Sequence, residues 1–135
     1  MALIIDLKPG EKILIGSAVI TNDKQRTRLH ISGDAAILRE KDVMQEEEAD
    51  TPCKRIYFLI QCMYLASSPK EYHQAYFDLV KEIQHAAPSL SETFLDINEC
   101  IMSSHYYKAM KGARNLITQE EELIGHAIGK TATAE

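Results

Sequence analysis

The hydrophobic pattern of this chain changes period once, and that change confines the fold to two unlike parts. Between residues 3 and 40 the apolar residues come in short β-prone runs: Leu3-Ile4-Ile5, Ile13-Leu14-Ile15, Ala18-Val19-Ile20-Thr21, Arg28-Leu29-His30-Ile31 and Ala36-Ile37-Leu38. Turn signals stand between them at Pro9-Gly10, Gly16-Ser17, Asn22-Asp23 and Gly33-Asp34. This spacing predicts a small antiparallel meander of four or five strands. A unit of about 45 residues buries little core by itself, so it is expected to pack on something else or to dimerise.

From Asp50 onward the apolar spacing is helical. Pro52 suits a first helical turn, with Asp50 or Thr51 as cap, and the run to residue 66 is apolar on nearly every side, as in a helix buried all round. Ser68-Pro69-Lys70-Glu71 predicts a second helix start, followed by a face of Tyr72, Ala75, Tyr76, Leu79, Val80 and Ile83 that ends at Pro88. Ser89-Leu90-Ser91-Glu92 caps a third, whose pattern continues from Phe94 to Leu123 either unbroken or interrupted near Ser103-Ser104. The expected fold is therefore α+β: a small N-terminal antiparallel β unit (1–45), an acidic linker (46–51), a three- to four-helix C-terminal part (52–124) and a flexible tail (125–135).

Hydrophobic and charged fractions of 45% and 26% are those of an ordinary globular protein. The longest apolar stretch, Ile56 to Ala66, is interrupted by Gln61 and falls far short of the ~20 residues of a membrane helix. An acid at position six and no basic segment before it argue against a signal peptide, so a cytoplasmic protein is expected. Cys53, Cys62 and Cys100 have neither disulfide-framework nor metal-knuckle spacing and read as buried thiols.

The net charge of −5 conceals an asymmetry, with +1 over residues 1–45 and −6 over residues 46–135. Attraction to a polyanion must come from the first third. Lys8, Lys24, Arg26, Arg28, Arg39 and Lys41 are the candidate RNA-binding residues there, with Lys12 beside them. Lys24, Arg26 and Arg28 alternate, and on a strand they would form one positive row for phosphate contact. The alternative is an ordinary solvated face. No Phe, Tyr or Trp precedes Tyr57, which excludes aromatic base stacking over that stretch.

Other constellations fail on chemistry. Gly125-His126-Ala127-Ile128-Gly129-Lys130-Thr131 has three residues between its glycines where a phosphate loop needs four. His30, His73, His85, His105 and His126 show no ligand pairing. No nucleophile elbow or carboxylate pair is legible, so neither catalysis nor a cofactor is expected.

Leu7-Lys8-Pro9-Gly10-Glu11-Lys12, Leu38-Arg39-Glu40-Lys41-Asp42, Glu47-Glu48-Ala49-Asp50-Thr51-Pro52, Arg55-Ile56-Tyr57-Phe58 and Tyr106-Tyr107-Lys108-Ala109 together resemble the FlbT family over most of the chain. That resemblance implies a post-transcriptional repressor of flagellin that acts on the 5′ leader of flagellin mRNA and promotes its decay, opposed by a companion protein, FlaF. The β unit alone is similar to the CsrA family, small interlocked β dimers that bind mRNA leaders with arginines at the dimer edges. Arg39 matches that family's late Arg-Glu and Lys8 a basic position before the early Gly-Glu, whereas Leu7 stands where that family has an RNA-contacting arginine. A homodimer is expected because the small β unit and the all-apolar helix need more burial than one chain provides. Arg39 is expected at the β unit's edge, where its guanidinium could fork onto a base edge, and the acidic run at 46–50 is expected to repel RNA from the helical half. A different class of function is an adaptor whose helical part grips flagellin or FlaF.

Overall fold

The computed structural model describes residues 2–134, with side chains over 3–125. The chain divides into two compact units, Met1–Val43 and Met44–Glu135. The architecture is α+β, as the change of period predicts.

The first unit holds five strands: β1 (Ala2–Leu7), β2 (Lys12–Ile15), β3 (Ala18–Thr21), β4 (Thr27–Ser32) and β5 (Ile37–Arg39). They form two antiparallel sheets, β1 with β4 and the three-stranded order β3-β2-β5. The register runs Ile5↔Leu29 in the first sheet, and Ile13 faces both Ile20 and Arg39 in the second. Turn chemistry sets these pairings. Pro9 and Gly10 are the central residues of a turn closed by the Glu11 N–H on the Lys8 carbonyl at 3.0 Å, and Gly10 supplies the positive φ of 76° that a type II turn demands. Gly16, at φ 60°, opens the two-residue β2–β3 hairpin loop, a geometry that matches the twist of the flanking strands. The core is small: Ile5, Leu7 and Ile13 are buried, with Leu29 and Ile31 packed against them, and Leu38 is buried on β5. Outside it, β3 exposes all four of its residues, and Leu3 and Ile4 of β1 are also exposed.

The second unit contains α1 (Pro52–Leu65), α2 (His73–Ala86), α3 (Ser91–Met102) and α4 (Tyr106–Ala134). Helix α1 packs against α2 and α4, and α3 packs against α4. As expected, α1 is the most enclosed, with Cys53, Ile56, Tyr57, Ile60, Gln61 and Met63 buried, while Pro52 and Arg55 remain exposed at its first turn. The acidic run before it belongs to this unit. Met44 donates to the buried Gln61 side chain at 2.7 Å and accepts from it at 2.9 Å, while Glu48 closes a short 3-10 turn by accepting from the Gln45 N–H at 2.9 Å.

The start of α1 accounts for each of its first donors. Pro52 has none, the Lys54 N–H reaches Thr51 Oγ1 at 3.2 Å, and the Cys53 N–H reaches Glu120 Oε2, on α4, at 3.0 Å. Thr51 Oγ1–H also donates to Glu120 Oε1 at 2.5 Å. Glu120 is thus a buried carboxylate held at a helix N-terminus, where the helix dipole favours it. Burial, reinforced by this carboxylate, pushes the Cys53 thiol up to about 12, so the sulfur stays neutral and unreactive, as a buried thiol is expected to be.

The remaining helix starts depart from simple capping. Ser68-Pro69 opens a 3-10 turn over Pro69–Tyr72 without a side-chain cap, and α2 begins only at His73. Tyr76, Val80 and Ile83 of its predicted face are buried, whereas Ala75 is exposed. Pro88–Leu90 likewise form a 3-10 turn before α3. The long C-terminal pattern resolves into two helices, broken where the serines stand. Ser104 adopts φ 61°, its N–H bonds the Ile101 carbonyl at 3.1 Å, and the His105 N–H bonds that of Cys100 at 2.8 Å, which is the Schellman closure of α3. The two helices meet closely at Gly112 of α4, where a Cβ would stand 2.8 Å from Ile97 Cγ1. The tail expected over 125–135 falls, beyond Gly125, outside the residues with described side chains.

Glu120→Ala strands two donors at the buried start of α1. It is expected to lower the unfolding free energy by about 3 kcal/mol, the scale of charge-assisted hydrogen bonds removed inside a protein. Urea denaturation should show a reduced midpoint at unchanged slope.

Candidate nucleic-acid interface

The strand register gathers the cations of the β unit at one end. β1 ends at Leu7, β2 starts at Lys12, β3 ends at Thr21, β4 starts at Thr27 and β5 ends at Arg39, so loops 8–11 and 22–26 lie at the same pole. Lys8, Lys12, Lys24, Arg26, Arg28 and Arg39 all belong to it, against the acids Asp6, Glu11 and Asp23. The opposite end, with the turns at Gly16-Ser17 and Gly33-Asp34, carries no Lys or Arg.

One side chain joins the two loops. Asn22 Nδ2 donates to the carbonyls of Leu7 (3.1 Å), Lys8 (2.9 Å) and Gln25 (2.8 Å), and its Oδ1 accepts from Thr27 Oγ1 at 3.1 Å. The backbone repeats the link, with the Gly10 N–H pointing at the Asn22 and Asp23 carbonyls at 2.9 and 3.1 Å, and the Asn22 N–H on Glu11 at 2.9 Å. These bonds hold Lys8 beside Lys24 and Arg26. Sequence reading treats Asn22 as a turn former only; nothing in the chain's local pattern signals that its amide reaches back fourteen and fifteen positions.

The structure corrects the row expected on a strand. β4 begins at Thr27, so Lys24 and Arg26 stand in the β3–β4 loop, and of the three only Arg28 is on a strand. Arg28 Nε contacts Asp6 Oδ1 at 3.1 Å, but both side chains are more than half exposed, and an ion pair of that kind contributes under about 1 kcal/mol. Arg39 is committed differently. It lies on the edge strand β5, its Nη1 donates to the Asp6 carbonyl at 3.3 Å and stands 3.8 Å from Glu11 Oε1, so it ties β5 to β1. One terminal nitrogen of the fork expected on a base edge is thus held by the protein. Lys41 sits in a 3-10 turn, Glu40–Asp42, between two acids.

Lys8, Lys12, Lys24 and Arg26 are exposed and form no ion pair among the described residues. Such a set suits contact with successive phosphates. Among the described residues no three His, Cys, Asp or Glu side chains gather as metal ligands do, and no helix is long and apolar enough to cross a membrane.

Asn22→Ala removes the side-chain half of the link between the two loops. The Gly10 amide should then exchange with solvent about tenfold faster, while amides of β1 paired with β4 change little.

Comparison with known proteins bears on what this surface serves. A family model described as "Flagellar protein FlbT" matches residues 3–124. The chain is 47% identical over 124 residues to a "Probable flagellum biosynthesis repressor protein FlbT" of Rhodopseudomonas palustris, covering 92% of this chain and 98% of that one. It is 45% identical over 126 residues to a Bradyrhizobium diazoefficiens protein named likewise as FlbT 1, covering 93% and 86%. A "Flagellum biosynthesis repressor protein FlbT" of Caulobacter vibrioides is 34% identical over 129 residues, covering 93% and 92%. No solved structure matches the chain significantly.

Proposed function

The chain belongs to the FlbT family, and from that premise we propose that it represses flagellin synthesis by binding the 5′ leader of flagellin mRNA in the cytoplasm and promoting its decay. The observation that carries this reading is the joined pair of loops that presents Lys8, Lys24 and Arg26 at one pole, with Lys12 at the start of β2 beside them. The names of the relatives support a repressor of flagellum biosynthesis. The pole supports an RNA target, because a polyanion is what a cluster of unpaired cations attracts. The protein contributes binding and no chemistry. With the second unit at a net −6 over residues 46–135, the leader stays on the β unit.

Without aromatic residues there, the bases cannot stack on the protein, and one terminal nitrogen of Arg39 is held by Asp6 and Glu11. Selection of one leader over another then depends on the shape in which the RNA presents its phosphates to two fixed loops, together with hydrogen bonds from Arg26 and Arg28. Replacing Lys8, Lys24 and Arg26 together with Ala should weaken binding to a flagellin leader. The slope of log affinity against log salt should shrink by about 2, at roughly 0.7 for each single-strand phosphate that the variant no longer neutralises. An unchanged slope would place the RNA surface elsewhere.

The same unit is proposed to pair with a second copy. Its buried core is a handful of aliphatic side chains, while Val19 is 63% and Ile4 56% exposed on strands whose outer edges have no strand neighbour among the described residues of the unit. Light scattering at micromolar concentration should report twice the chain mass of 15.2 kDa. Val19→Lys with Ile4→Lys should return the single-chain value, and a wild-type monomer would remove the claim.

A further inference from the structure

The helical unit carries a groove that RNA binding does not use. It has a volume of about 370 Å³ and lies between the start of α1, the second half of α2 and the middle of α4. Leu79, Ile83 and Ala86 follow one another along its α2 wall at helical spacing, and Leu123 and Ile124 line the α4 wall. The latter two are 43% and 48% exposed, large apolar side chains at the surface of a unit whose other core positions on α4 are closed. Cys53 and Leu90 are buried in the lining. Three acidic or basic side chains border it. Glu120 is engaged by Thr51 and Cys53, whereas Arg55 and Glu82 are exposed and form no ion pair among the described residues.

An apolar trough walled by helices with i, i+4, i+7 spacing is the complement of an amphipathic helix, whose own anchors recur at the same interval. Charge narrows the occupant further. The groove lies in the half of the chain with a net −6, and Glu121 and Glu122 stand exposed on α4 beside Leu123. A second copy of this unit would bring like charge against like, and RNA would meet both acid and hydrocarbon. A basic helix gains from every one of these terms, provided it places one carboxylate against Arg55.

We propose that this groove docks one amphipathic, net-basic helix of a different protein, its apolar stripe on Leu79, Ile83, Leu123 and Ile124, with an acid paired to Arg55 and a cation to Glu82. The site is independent of the leader-binding reading, since it lies on the other unit and excludes RNA.

The test uses the full chain and designed, labelled peptides of about 18 residues, five helical turns. One carries a leucine stripe flanked by lysines with a single glutamate on the flank facing α1; a second has that glutamate replaced by lysine; a third inverts every charge. Fluorescence anisotropy should show the first binding at least tenfold more tightly than the other two. Leu123→Glu, at an already exposed position, should abolish that preference while leaving the urea midpoint and the affinity for a flagellin leader unchanged. Arg55→Glu should weaken the first peptide about tenfold and restore the second, an exchange that a merely sticky surface does not produce. Three results would each overturn the proposal: equal binding of all three peptides, no effect of Leu123→Glu, or loss of self-association in Leu123→Glu, which would assign the groove to a second copy. Loss of leader binding in the Lys8/Lys24/Arg26 variant with peptide binding intact would leave the groove standing and test the RNA reading alone.

Discussion

A carboxylate taken out of water must be met by hydrogen bonds, and the helical unit is arranged around one such group. Glu120 receives the Thr51 hydroxyl and the Cys53 amide, and it sits on the positive end of the α1 dipole. Because Pro52 has no N–H and Thr51 answers Lys54, no donor in that turn is left over. The contact joins positions 67 and 69 residues apart in the chain, so it fixes α4 along α1 as well as closing a helix end. Everything lining the groove beside it inherits that placement. Burial keeps the Cys53 thiol neutral, and the neighbouring carboxylate adds to the effect.

The β unit solves a different problem. Four exposed cations close together repel one another, and long side chains on loose loops would simply drift apart. Asn22 prevents this with short bonds to backbone carbonyls, which have no charge to compete with the lysines and no rotamers to lose. The cations themselves stay free. An amide performs this role better than a carboxylate would, since carbonyls can only accept hydrogen bonds, and an anion would neutralise part of the field the loops create.

Much of this is legible in the sequence because it is local. The change of period marks the two architectures, the Pro-Gly and Gly-Ser turns fall where strands reverse, and Thr51-Pro52 opens a helix as its chemistry dictates. The serines at 103 and 104 mark a possible break that the spacing of apolar residues alone does not decide. What escapes is long-range or competitive. The alternation of Lys24, Arg26 and Arg28 looks like a strand face, but Asn22 holds residues 22–26 away from the ladder until Thr27. Arg39 has the composition of a base-reading residue, and a backbone carbonyl 33 positions away claims it. Ser68-Pro69 has the composition of a cap, yet the tighter 3-10 turn leaves the serine side chain unused. Glu120 lies in a run of three acids that reads as solvated surface, and its burial follows only from where α4 lies. The family resemblance spans both units and rests on short motifs in a fixed order, so it does not depend on any one of these local assignments.

The close approach at Gly112 has a bearing on how such a protein can diverge. A glycine inside a helix forgoes roughly 1 kcal/mol of helix propensity relative to alanine. Here it is matched by contact, since Ile97 of α3 occupies the space a side chain would need. Any larger residue must displace the Ile97 side chain or push α3 outward, and α3 is fastened to α2 by the Tyr76 hydroxyl on Asn98 Oδ1 at 2.7 Å. An outward shift of α3 would therefore reach the α2 wall of the groove from a residue that touches neither proposed partner. Lineages that alter this position would be changing the width of a recognition surface without altering any residue on it, and such drift would be invisible to a comparison of surface residues alone.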